Sequence, residues 1–125
     1  MNTQTSKGLR ITLLVYGLYS LVYGLLHVIS PEMVGAKDPA IERVFGAAVL
    51  AFALGAGLAY LEKEWDKVKI AVVIQVAWMI LYTITMAWGI VTGGIIAAAW
   101  APTIIGAVFA ILLLVFYIRE VRIHR

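Results

Sequence analysis

Hydrophobic positions run along this chain in four long blocks, separated by short polar or helix-breaking stretches. The first block is residues 9–29. Beyond Arg10 at its start, only His27 among its side chains changes charge near neutral pH. An α-helix needs about 20 apolar residues to cross roughly 30 Å of hydrocarbon, so this block predicts a spanning helix. Ser30 and Pro31 end it, because the residue before a proline avoids helical geometry. Asp38 followed by Pro39 reads as an N-cap with proline in the first turn, and predicts a second helix over 41–61. A charged turn follows at 62–67.

Between residues 70 and 118 there is no Asp, Glu, Lys or Arg. As one straight helix that stretch would reach ~73 Å, more than twice the hydrocarbon thickness, so it must fold back. The break falls at Thr92, Gly93 and Gly94, which include the chain's one adjacent glycine pair. Helix three is therefore predicted over 68–90 and helix four over 95–118, with Pro102 in the first turns of helix four. The expected fold is all-α: a single domain, residues 1–125, built as an antiparallel bundle of four transmembrane helices in a polytopic membrane protein.

Composition agrees with lipid as the solvent. The 125 residues are 63% hydrophobic and 14% charged, with a mean hydropathy of +0.97. A soluble domain this small could not hide so much apolar surface. Cysteine is absent, which excludes disulfides, thiolate metal sites and cysteine nucleophiles. The net charge of +3 is modest, and no basic patch with interleaved aromatics points to nucleic acid.

Placement of charge says more than its sum. Lys7, Arg10, Lys63, Lys67, Lys69, Arg119, Arg122 and Arg125 fall at one end of the expected bundle, against Lys37 and Arg43 at the other. The positive-inside rule then puts both termini in the cytoplasm of a cell-membrane, multi-pass protein. The first block is too long for the apolar core of a cleavable signal, and Ser-Pro-Glu follows it where a small-residue cleavage motif would stand.

Winding each block at about 100° per residue shows which faces meet. On helix one Thr12, Tyr16, Ser20, Tyr23 and His27 cluster on one side. Leu14, Val15, Leu18, Leu21, Val22 and Leu25 occupy the other. This is an inverted amphipathic pattern, with aliphatic side chains toward lipid and small or polar ones toward protein. Helix two places Glu42, Gly46, Ala53, Gly57 and Tyr60 together, and Ala53 with Gly57 makes a small-x3-small pair. Helix three aligns Val68, Gln75, Tyr82 and Gly89. Helix four offers Ala99, Thr103, Gly106 and Ala110.

Two groups of polar residues are candidate sites. His27, Glu42 and Arg43 are expected near the outer interface, where helix one ends and helix two begins. Ionisable groups at membrane depth are candidates for function. The simpler reading is an interfacial network pinning the two helices. The second group, Tyr16, Tyr23, Gln75 and Tyr82, forms an interior row that could line a pocket for a lipid-like or aromatic ligand. Its simpler reading is interhelical hydrogen bonding. Trp65, Trp88 and Trp100 are expected as interfacial anchors, and Trp78 falls at mid-span, as either packing or pocket wall.

Other chemistries are poorly served. His27 and His124 are expected at opposite ends, so one chain cannot clamp a haem between two histidines. No metal-ligand spacing, Ser-His-Asp arrangement, phosphate-cradling glycine loop or mid-membrane carboxylate pair is visible. No catalytic, cofactor-binding or metal residue is assigned, and an enzyme is not expected.

Arg43 followed by Gly46 at the start of helix two, with a proline-containing loop before it, resembles the small four-helix membrane proteins of the DoxX-like group. The likeness in motif is confined to helix two, and it implies a four-helix bundle in the cell membrane with, at most, a loose association with membrane redox partners. The expected role is a non-enzymatic accessory or assembly subunit acting through helix contacts. The alternative is a small homo-oligomeric transporter or channel. Expected partners are membrane lipids and other membrane subunits or further copies of the chain.

Overall fold

The computed structural model describes residues 3–34 and 37–125. Four helices dominate: α1 is Lys7–Ile29, α2 is Pro39–Leu61, α3 is Trp65–Val91 and α4 is Trp100–Ile123. Short 3-10 turns at Pro31–Val34 and Ala97–Ala99 precede α2 and α4. All four helices are long and apolar enough to cross a membrane. The protein is an all-α, four-helix, multi-pass membrane protein.

The helix starts follow local capping chemistry. The Ser6 side chain accepts from Leu9 N–H, so α1 begins two residues before the apolar block. Asp38 caps α2 by accepting from the N–H groups of Ala40 and Ile41. α3 begins at Trp65 because its acidic first turn suits the positive helix end. Lys67 pairs there with Glu64 at 3.0 Å and Lys69 with Asp66 at 2.8 Å. α4 differs most from expectation. Gly93 takes φ +79° to turn the chain, and Ile96 stays extended, so the helix starts at Trp100 and runs on to Ile123. The Ile95 side chain meanwhile fills the space that a Cβ at Gly89 would need.

The helices form two close hairpins, α1 with α2 and α3 with α4. Glycine sets the spacing of the first. A Cβ at Gly46 would sit 2.8 Å from the Gly24 carbonyl oxygen and 2.8 Å from His27 Cβ, closer than atoms pack. Gly17 faces Ala56. Gly57 does not share in this contact, since a Cβ there would meet nothing within 4 Å. The small-residue seam thus runs through Gly46, Ala53 and Ala56, and Gly57 lies beside it. In the second hairpin, Gly106 lies directly under the Tyr82 ring.

The end carrying both termini is closed. Thr5 N–H donates to the Lys63 carbonyl and Trp65 N–H to the Thr3 carbonyl, tying the N-terminal segment to the α2–α3 turn. Glu120 is fully buried beneath it, accepting from Ser6 N–H at 2.8 Å and from His124 Nε2 at 3.0 Å. Trp65 is only 5% exposed and stacks on His124, so it is a core residue and not an interfacial anchor. Trp88 and Trp100 are exposed. Leu9, Leu13, Val72 and Leu113, all fully buried, fill the section above.

Candidate functional site

At the opposite end, the loop end, the two hairpins part around a cavity of about 870 Å³. Its floor is aromatic. Tyr23 from α1, Phe45 from α2, and Trp78 and Tyr82 from α3 all line it. Phe45 lies 6.1 Å from Tyr82 and 6.2 Å from Trp78, ring centre to centre, and Trp78 lies 6.1 Å from Tyr82. The rings form one continuous surface, braced from behind by Phe52 stacked on Trp78 at 4.4 Å. Thr85, Met86, Ile95 and Pro102 also line the cavity.

The polar groups sit at one side of that floor. The Tyr23 and Tyr82 hydroxyls share a hydrogen bond at 3.0 Å. His27 Nδ1 lies 2.8 Å from the Tyr23 carbonyl oxygen. A carbonyl only accepts, so Nδ1 carries a proton, and Nε2 is left to face Glu42 Oε2 across 3.5 Å. His27 itself is buried, while the Glu42 side chain keeps 33% exposure.

The sequence explains this placement. Glu42 and Gly46 are four residues apart and share a face of α2. Gly46 lets the α2 backbone press against α1 beside His27, which brings Glu42 within reach of the imidazole. Arg43 points elsewhere. Its Nε donates to the Val28 carbonyl at 3.3 Å, satisfying an orphan carbonyl at the end of α1. The expected trio therefore separates into a His27–Glu42 pair facing the cavity and an Arg43 clasp outside it.

The interior row divides as well. The Tyr16 hydroxyl donates to Gln75 Oε1 at 2.6 Å, and Gln75 Nε2 donates to the Phe52 carbonyl at 3.0 Å. Both side chains are sealed in the core, with every strong polar atom occupied. Tyr23 and Tyr82 border the cavity. Phe45 and Trp78 complete the floor; the sequence left Trp78 as either packing or pocket wall and did not single out Phe45. Their recurrence with Glu42 and Tyr82 at helical spacing (42 with 45, 78 with 82) is the one signal that could have found them. The Glu120–His124 pair was also missed. Its four-residue spacing is visible in the sequence, but its burial is not.

Among the described residues, no three His, Asp or Glu side chains gather closely enough to hold a metal ion. No protein-family model, no curated protein and no solved structure matches this chain.

Proposed function

We propose that this protein binds a lipid-soluble small molecule in the loop-end cavity. The observation that carries the reading is the cavity itself. About 870 Å³ lies within the range of small-molecule sites, and it joins a largely apolar wall to a few convergent polar groups. Tyr23, Tyr82, His27 and Glu42 supply hydrogen-bond donors and acceptors, and the rings supply flat apolar surface. The excess of basic residues at the terminal end supports a cytoplasmic placement of that end. The pocket then opens in the outer half of the cell membrane.

The accessory-subunit reading has one observation on its side. Ala47 and Ala51 lie one turn apart on an exposed face of α2, as in helix pairs that associate in lipid. The other outward faces are aliphatic, suited to lipid chains rather than to a partner. Kinship with DoxX-like proteins, carried by Arg43 and Gly46, is compatible with either role. Transport through one chain would require the closed terminal end to open. Beneath the aromatic floor lies a void of about 20 Å³, too narrow for a ligand to pass.

Native mass spectrometry of protein taken from membranes into mild detergent tests the binding reading. A retained small molecule that is lost in Ala99→Trp, which fills the cavity from its wall, supports it. Identical spectra for the two proteins, with no retained mass, refute it. Orientation is tested separately, because the chain lacks cysteine. A thiol introduced at Lys37 or Gly93 should react with an impermeant reagent from outside, and one at Lys63 should not.

A further inference from the structure

We infer that the loop-end pocket selects lipophilic organic cations, such as quaternary ammonium or phosphonium groups carrying aromatic or alkyl substituents. The inference rests on the cavity being a ligand site and adds the charge of its ligand.

Three features combine. The first is the sign of charge. Among the described lining residues Glu32, Asp38 and Glu42 bring three carboxylates, against the single ammonium of Lys37. Arg43, one residue from Glu42, is withdrawn to the Val28 carbonyl. The helix dipoles do not reverse this sign. Two helices end at this side and two begin, so their terminal partial charges oppose each other.

The second is the floor. Tyr23, Phe45, Trp78 and Tyr82 present π-surface, and the negative faces of such rings attract a cation, most strongly when water is excluded. The third is where Glu42 stands. It lies three residues from Phe45 on α2, so a cation resting on the rings sits beside its carboxylate. Glu42 is partly exposed to the cavity, which leaves it reachable by a ligand. With lipid around the walls, ionic screening is weaker than in bulk water, and the attraction counts for more. A neutral ligand would gain apolar contact and hydrogen bonds here, but no attraction of charge. An anion would face three carboxylates.

Three probes of similar shape decide the matter: tetraphenylphosphonium, neutral triphenylphosphine oxide and anionic tetraphenylborate. Binding is measured by equilibrium dialysis to the protein in phosphatidylcholine nanodiscs, with empty nanodiscs subtracted. Tetraphenylphosphonium should saturate at one per chain and bind at least about tenfold more tightly than the oxide. Tetraphenylborate should show no saturable site. Glu42→Gln should weaken phosphonium binding by about tenfold and leave the oxide unchanged. Trp78→Leu should weaken phosphonium more than oxide. Should either variant fail to fold, the three probes on the unaltered protein decide alone. Oxide or borate binding as tight as phosphonium would overturn the cation selectivity while leaving a lipophilic pocket. Folded Glu42→Gln with unchanged phosphonium affinity would do the same. Saturable binding by none of the three would overturn both the selectivity and the pocket.

Discussion

The two ends of this bundle each hold a histidine against a glutamate, and they use the pair differently. At the terminal end Glu120 lies on α4 and His124 caps the end of the same helix; they meet at 3.0 Å and are enclosed by Trp65 and the N-terminal segment. Every strong polar atom of the Glu120 carboxylate has a partner. At the loop end His27 and Glu42 come from different helices, stand 3.5 Å apart, and border an open cavity. The same two residue types therefore act as a closed structural joint at one end and as a reachable polar wall at the other. What separates them is enclosure, since burial makes a missing partner costly and exposure lets water replace it.

That contrast breaks most directly at the carboxylates. Glu120→Ala leaves the Ser6 N–H and the His124 ring unpaired in a dry site and should cost about 3 kcal/mol. Glu42→Ala at the cavity margin should cost less than about 1 kcal/mol. Thermal melts in detergent compare them, and equal losses would show that the loop-end pair is structural too. The double variant His27→Ala with Glu42→Ala sharpens the point. If the pair mainly pins α1 to α2, the double loss should fall clearly short of the summed singles.

Glycine positions test the spacing that builds the loop-end pair. Gly46→Leu would drive a side chain into Gly24 and His27, with an expected loss of about 1–3 kcal/mol or more. Gly57→Leu meets open space and should change stability by no more than about 0.5 kcal/mol. Comparable melting temperatures for the two would mean that the α1–α2 seam has been placed wrongly.

A smaller difference is expected between two tyrosines. Tyr16→Phe strands Gln75 Oε1 inside the sealed core and should cost about 1–2 kcal/mol. Tyr82→Phe leaves the Tyr23 hydroxyl free to turn toward the cavity, and should cost about 0.6 kcal/mol or less. A larger loss for Tyr82→Phe would argue that the cavity floor is as dry as the core.

The smallest effect is a pH dependence of the α2–α3 turn. The N–H groups of Glu64 and Lys63, with Lys67 beside them, hold the Glu62 carboxyl below its ordinary value of 4.5. Its stabilisation is therefore present above that value and lost as pH falls below it. Hydrogen exchange at Lys63 and Glu64 should quicken as pH falls below 4.5, after correction for intrinsic rates. Glu62→Gln should remove that quickening.

Much of the fold was legible because lipid imposes simple rules. The apolar blocks, the Asp38 cap and the Gly93 turn follow from chain length, capping and backbone sterics, and each is local in sequence. Helix one showed its buried face directly, since Thr12, Tyr16, Ser20 and His27 are the residues lipid disfavours, and all four are buried. Helix four was harder to delimit. Ile95 and Ile96 are as apolar as the helix that follows, so hydropathy could not separate a turn from a helix start. Trp65 misled for a related reason. Its position near the end of a span suits an anchor, and only the neighbouring His124 ring decides otherwise.

The candidate site was legible in part. His27, Glu42, Tyr23 and Tyr82 stand out as polar residues in apolar helices, which is a one-dimensional signal. Whether such residues meet depends on the rotation and separation of helices distant in sequence. Tyr16 with Gln75 and Tyr23 with Tyr82 are both tyrosine hydrogen bonds between α1 and α3, about two turns apart, yet the first pair is sealed and the second borders free volume.

The sequence by itself determined the number of spanning helices, their antiparallel order, the charge asymmetry between the ends and the inward face of helix one. Each is a property of residues near one another along the chain, read against the thickness and apolarity of a bilayer. The tertiary structure alone decided that the bundle is closed at one end and open at the other. Gly46 draws two helices together, Glu120 fastens the termini, and the hairpins part where Ile95 to Ala99 leave the helix. Free volume is what remains after all the helices have packed, and no single segment carries it.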